Sequence, residues 1–284
     1  MTTISAHRRG SFQKNLDKFW HYLIMSSLAL IILIPVIMLV FGGLKSRGEL
    51  ATSPFTPPNP PQWENYAEIL KSSNLWGMLF NSVFVMAVVT FGVVSISALA
   101  AFVFSRLEFR AKGLTFNILT LGLLFPMSIA ILPVYILLRQ LSMLNLEGVI
   151  LPQIAFGLAG NILILRGFFT AIPTELQDAA YIDGCNMFDF FRRILIPLAR
   201  PSLSAIAILV MVGSWNEYFL PLVVLNDEKQ WTLPLGTMQF MGQYVQDWTL
   251  VLAFVTLTMI PVVVFYLFAE RQIIAGLTAG ALKG

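Results

Sequence analysis

Scarcity removes whole classes of function from this chain. Among 284 residues there is one cysteine, Cys185, so no disulfide can close within it, and that residue says nothing about compartment. The only histidines, His7 and His21, both lie near the N-terminus. They leave no H-E-x-x-H zinc motif and no serine–histidine pair deep in the chain, so no catalytic residue and no metal site is expected. Gly-Lys never occurs as a dipeptide, which excludes a G-x-x-x-x-G-K-[ST] phosphate loop and ATP binding of that kind. Charged residues make up only 12% of the chain against 57% hydrophobic, too few to coat a soluble globule. The net charge of +3 is small, and the basic residues sit beside apolar runs rather than on a face. That suits membrane topology and lipid contact, not nucleic acid.

What is present is a series of apolar runs near or above the ~20 residues that a bilayer core requires. Six spans are expected, over about 20–44, 75–105, 114–138, 149–165, 203–225 and 249–268. The first is too long for a signal peptide and is followed by no A-x-A-like site, and Pro35 within it reads as a tolerated kink. Pro126 and Pro133 break the third. The expected organisation is a segment 1–19, a transmembrane domain 20–270 and a tail 271–284. A Pro-rich spacer occupies 45–74, where Trp63, Tyr66, Ala67 and Leu70 share one face of a short amphipathic helix. Following the third span, LLRQLSMLNLEG reads as an interfacial segment.

Basic residues orient this layout. With the N-terminus inside, inner segments hold thirteen of the 18, among them Arg8, Arg9, Arg106, Arg166, Arg192 and Arg193. Outer loops hold five: Lys45, Arg47, Lys71, Arg139 and Lys229. The bias places both termini in the cytoplasm, together with the polar stretch 172–201.

That stretch is too long for a tight turn and too well patterned for a slack linker. Thr174-Glu175-Leu176-Gln177 fits a capping box. Leu176, Ala179, Ala180 and Asp183 then share one helical face, on which Ala179 and Ala180 form a ridge that another protein can approach closely. Gly184 is the natural stop and Asn186 a start for a second helix. On it Met187, Phe190, Phe191 and Ile194 line one face, with Asp189, Arg192 and Arg193 opposite, and Pro197 and Pro201 limit it. By composition alone this is equally a membrane-surface hairpin tying two spans together.

Ionisable groups are nearly missing from the spans, and Glu217 is the one carboxylate inside an apolar stretch. Ion-coupled carriers use buried ionisable groups near mid-membrane, so energy is expected from elsewhere. Trp215-Asn216-Glu217-Tyr218 lies about fifteen residues into the fifth span, roughly 20 Å from its inner end. It reads either as an aromatic and hydrogen-bonding patch on the path of a polyhydroxylated solute or as an aromatic belt at the interface. Asn81, Gln153 and Asn161 are weaker candidates, since polar groups in spans more often join helices.

The order Asp178-Ala179-Ala180-x-x-Asp183-Gly184, then Phe191, then Ile194-x-Ile196-Pro197-x-x-x-Pro201 resembles the EAA loop of ABC-importer permeases. That pattern reads E-A-A-x-x-D-G-A, a spacer, then I-x-L-P-x-x-x-P. Asp178 replaces Glu, Cys185 replaces a small residue and Ile196 replaces Leu, all mild changes. WENYAEIL, WNEYFLPLVVL, TLPLGTMQFMGQYVQDW and AERQIIAGLTAGALKG are similar to the maltose-type permease subunit of carbohydrate ABC importers. The resemblance implies an all-α polytopic membrane protein of the type I importer permease fold in a bacterial inner membrane. It further implies a second, different permease subunit, an ABC ATPase dimer carrying the ATP and Mg, and an extracytoplasmic solute-binding protein. Asp178, Ala179, Ala180, Asp183 and Gly184 would then form the coupling helix that docks on the ATPase, with Gly276–Gly284 also touching it. The competing expectations are a stand-alone secondary transporter of small polar solutes and a membrane scaffold.

Overall fold

The computed structural model describes the backbone of residues 3–240 and 247–281, and the side chains of 18–240 and 247–267. Its helices are α1 (Thr3–Gly43), α2 (Arg47–Thr52), α3 (Glu64–Lys71), α4 (Ser73–Arg106), α5 (Lys112–Leu121), α6 (Met127–Gln140) and α7 (Leu146–Ala171). They continue as α8 (Glu175–Ile182), α9 (Met187–Leu198), α10 (Arg200–Trp215), α11 (Phe219–Val224) and α12 (Trp248–Ala281). Among the described residues, four are long and apolar enough to cross a bilayer, and two bent pairs bring the number of crossings to six when each pair is one span. The chain divides into two compact units, 1–71 with 239–257, and 72–238 with 258–284.

In the first unit α1 runs unbroken through Pro35, and from Lys18 onward its most apolar stretch is wholly unburied within the chain. Such a surface is stable only against lipid or another apolar partner. Where α1 ends, a Cβ on Gly43 would stand 2.8 Å from the Ala253 Cα, so only glycine admits the first turns of α12 this closely. The Tyr66 hydroxyl donates to the Val40 carbonyl at 3.0 Å, and Asn65 Nδ2 donates to the Gly43 and Lys45 carbonyls at 2.9 and 3.1 Å. Lys45 is fully buried, its ammonium donating to the Ser53 carbonyl and the Thr56 hydroxyl. The expected apolar face of α3 is displaced. Ile69 is its buried residue while Trp63 and Leu70 are exposed, because Tyr66 and Asn65 turn the helix toward the end of α1.

The second unit is built on α4, whose Val85, Val89, Val93, Ser97 and Ala101 recur every four residues and are all buried. This is the i, i+4 ridge along which helices interlock, and α7 and α10 pack on it. One end of the resulting core gathers Val89, Val149, Ile150, Leu220 and Val224. The other gathers Ala101, Phe102, Leu165, Phe169, Phe190, Leu195 and Ile206.

Three expected spans change shape. The third is not one kinked helix: α5 and α6 meet at 98°, with Phe125 and Pro126 extended between them. Proline disfavours helical backbone in the residue before it, while Pro133 is absorbed inside α6. The fourth is longer than expected, since the Asn145 side chain caps α7 by accepting the Gly148 N–H at 3.1 Å, and the helix runs on through Pro152. The fifth is bent by 76° between α9 and α10 at Ala199 and stops at Trp215. Pro201 and Pro221 lack the N–H groups that would bond the carbonyls of Pro197 and Glu217, and each sits in the first turn of the helix after a break, where that donor has no partner to lose.

Candidate functional site

Two features of the second unit carry functional side chains: the α8–α9 hairpin and a polar cavity between α4, α7 and α10.

The hairpin is shaped by local hydrogen bonding. Gly184 has φ +87°, and its N–H donates to the Tyr181 carbonyl while the Cys185 N–H reaches back to Ala180 at 2.9 Å. This paired closure satisfies two orphan carbonyls of α8 and needs a left-handed residue at its centre. Asn186 caps α9 as expected, its Oδ1 accepting the Asp189 N–H at 2.8 Å. The capping box at Thr174 does not form. Thr174 has helical backbone angles, which point its hydroxyl away from the free N–H groups, and the Gln177 amide donates instead to the Tyr181 hydroxyl at 3.0 Å.

A π-helical turn over Phe190–Leu195 resets the apolar face of α9. Its i→i+5 spacing puts Phe190 and Leu195 together, both fully buried, whereas Met187 is exposed rather than part of that face. The Ala179-Ala180 ridge also divides. Ala180 points inward against the α4–α7 core, leaving Asp178, Ala179, Asp183 and Gly184 on the open side. Ile182 of α8 is 86% exposed and Phe188 of α9 63% exposed, each next in sequence to a carboxylate, Asp183 and Asp189.

Sequence reasoning missed what ties the ends of α4 and α7 together just before the hairpin begins. Arg106 Nη2, at the end of α4, donates to the Phe169 and Ile172 carbonyls at 2.6 and 2.7 Å. Arg166 of α7 reaches the other way, donating from Nε to the Phe104 carbonyl, with its guanidinium 4.0 Å above the Phe116 ring. Both arginines were legible only as topology charges. The available signal was their position where helices end and leave carbonyls unpaired.

The cavity, of 310 Å³, is lined by Val89, Val93, Met127, Gln153, Asn161, Ser214 and Glu217 among others. Three predicted residues, Gln153, Asn161 and Glu217, are thus brought together from one helix, α7, and the break after α10. Asn161 donates to the Gly157 carbonyl at 2.7 Å, and Glu217 accepts the Leu220 N–H at 3.1 Å. Gln153 Nε2 and Ser214 Oγ are buried with no hydrogen-bond partner among the described residues. The walls are aliphatic. Trp215 and Asn216 do not join this site, for they line a separate apolar cavity of 170 Å³ with Met211, Pro261 and Phe265. Tyr218 packs on the core beside Leu220. Asn81 is a structural pin, 8% exposed, donating to the Lys229 and Trp231 carbonyls at 2.9 and 3.0 Å. Ser214 and Met127 were not foreseen, because only the break after Trp215 and the bend at Pro126 aim them inward.

Residues 93–274 match the family described as binding-protein-dependent transport system inner membrane component. The chain belongs to that family. A putative ABC transporter permease protein from Caldicellulosiruptor sp. is 33% identical over 96% of this chain and all of its own length. The diacetylchitobiose uptake system permease protein NgcG of Streptomyces coelicolor is 31% identical, over 90% of this chain and 85% of its own. The arabinooligosaccharides transport system permease protein AraQ of Halalkalibacterium halodurans is 32% identical, over 90% and 93%. In fold, the chain matches a bacterial ABC transporter that imports alginate, with TM-score 0.78 and 22% identity over 91% of this chain and 97% of that one. The protein is therefore an inner-membrane permease subunit of an ABC importer, not an enzyme, a stand-alone carrier or a scaffold. Its last residues, Gly276–Gly284, have side chains outside the described residues, as do 241–246 within TLPLGTMQFMGQYVQDW.

Proposed function

We propose that this permease imports a sugar or oligosaccharide and receives its driving force through α8 and α9. The observation that carries the coupling role is the exposure of two large apolar side chains, Ile182 on α8 and Phe188 on α9, on a hairpin whose Asp178, Ala179, Asp183 and Gly184 are also open. A polar hairpin gains nothing by exposing such side chains unless a partner covers them. The partner is an ABC ATPase dimer, which binds the ATP and Mg that this chain has no motif to hold. The inner-membrane face bearing the hairpin and both termini is the cytoplasmic one, in keeping with the basic-residue bias. Carbohydrate is the solute class that the relatives' names support, and Gln153, Asn161, Ser214 and Glu217 offer the amide, hydroxyl and carboxylate groups that bind sugar hydroxyls. A second, different permease subunit completes the pathway, and an extracytoplasmic binding protein delivers the solute.

Affinity purification through this chain, followed by reconstitution into vesicles, tests the reading. An ATPase and a second permease should co-purify, and ATP should drive uptake of a labelled oligosaccharide when its binding protein is supplied. Purification of this chain alone, with uptake indifferent to ATP, would refute it.

A further inference from the structure

We infer that Arg106 is a positioning residue for energy coupling, because it fastens α4 to the end of α7, immediately before the link into the α8–α9 hairpin. The inference rests on the coupling role proposed above and adds the route by which hairpin motion reaches the cavity. Ile172 closes α7, and α8 begins three residues later at Glu175. A short link of this kind, Ile172-Pro173-Thr174, would ordinarily take up displacement at its N-terminal side. Arg106 removes that slack by holding the carbonyls of Phe169 and Ile172 on a single nitrogen, Nη2. Arg166 ties the same two helices in the opposite sense, from α7 to the Phe104 carbonyl of α4. The two bonds clasp reciprocally, so the ends of α4 and α7 move as one body. α4 itself carries Val89 and Val93, which form a wall of the polar cavity. A pull on α8 is therefore delivered to that wall through Arg106 as well as along α7.

A role in stability alone is the competing explanation, and the Ala101, Phe102, Leu165 and Phe169 core makes it the weaker one. Those apolar contacts keep α4 packed on α7 without the guanidinium, and what Arg106 adds is a fixed position for the Ile172 carbonyl, at the end of α7 where the link begins.

The test uses the complete reconstituted transporter carrying Arg106→Gln or Arg106→Lys. Three quantities are read: the amount of assembled complex, ATP hydrolysis stimulated by loaded binding protein, and solute moved per ATP consumed. For R106Q we expect normal assembly with solute moved per ATP reduced about fivefold or more, the lower range for energetic coupling between sites. R106K, which keeps a donor cation, should recover part of that ratio. An unchanged ratio in R106Q overturns the inference, including when hydrolysis and uptake fall in proportion. Failure of both variants to assemble also overturns it, making Arg106 a folding residue. A wild-type complex whose ATP hydrolysis ignores the binding protein would instead defeat the coupling role on which the inference rests.

Discussion

The Glu217 carboxylate accepts the backbone N–H of Leu220 at 3.1 Å while its side chain lines the polar cavity. The same acid thus starts α11 and faces the space left where α10 stops. The break and the cavity have one cause: Pro221 cannot bond the Glu217 carbonyl, so the chain turns and opens a gap beside Ser214.

Two substitutions separate these duties. E217Q retains an oxygen for Leu220, and E217A does not. Removing one such bond costs about 1 kcal/mol, so E217A should unfold at a lower temperature in detergent while E217Q matches the wild type. Uptake should fall about tenfold in both, the effect of ~1.4 kcal/mol lost from solute binding. Equal thermal stability of the two variants would remove the capping role.

Gly213 offers a way to fill the cavity without disturbing its walls. It lines the space, and no atom lies within 4 Å of a Cβ built on it. Gly213→Leu should leave folding intact, because replacing a helical glycine contributes up to ~1 kcal/mol of stability. Uptake should nonetheless be lost. Transport at the wild-type rate in G213L would move the solute path elsewhere.

At Gly184 the constraint is the backbone, since its φ of +87° has open space around it. A β-branched side chain there costs about 1–2 kcal/mol and forces the hairpin out of shape. Gly184→Val should insert into the membrane normally yet lose both uptake and stimulation of ATP hydrolysis. Gly184→Asn should be milder, because asparagine visits left-handed angles. Comparable activity in all three proteins would deny the bend a part in coupling.

An acid-sensitive contact lies in the other unit. Burial pushes the Asp247 carboxyl up, but the Thr249 hydroxyl, the Arg47 guanidinium and the Leu250 N–H outweigh it and hold the group below its usual range. Arg47 Nε donates to Asp247 Oδ2 at 2.8 Å. A lowered carboxyl stabilises fully above its unfolded value of ~3.9 and loses that contribution as pH falls through the folded value. Resistance of the α1–α3 region to proteolysis should therefore stay level from neutral pH down to about 4 and drop below that, and Asp247→Asn should flatten the decline. Identical pH profiles would assign the sensitivity to other groups.

Much of the site was legible in short-range chemistry. Gly184 and Asn186 announced the ends of α8 and the start of α9, since left-handed closure and side-chain capping depend on a few adjacent residues. Gln153, Asn161 and Glu217 were marked as polar groups in apolar surroundings. Their convergence was not legible, and neither was the separation of Trp215 from Glu217, because both follow from breaks at Pro126, Ala199 and Trp215 that redirect whole helices. The π turn escaped notice for a related reason: its register reflects packing of Phe190 and Leu195 into a core supplied by α4 and α7.

By itself the amino-acid order determined that this chain lives in a bilayer, that several apolar stretches are its candidate spans, and that a bent polar hairpin interrupts them. Those outcomes depend on hydrophobicity and backbone preference, which act over one or two turns. Only the tertiary structure decided which polar side chains share a cavity and which arginine holds the end of α7 to α4. Such pairings join residues more than sixty positions apart, such as Arg106 and Phe169, and are set by how helices bend and interlock.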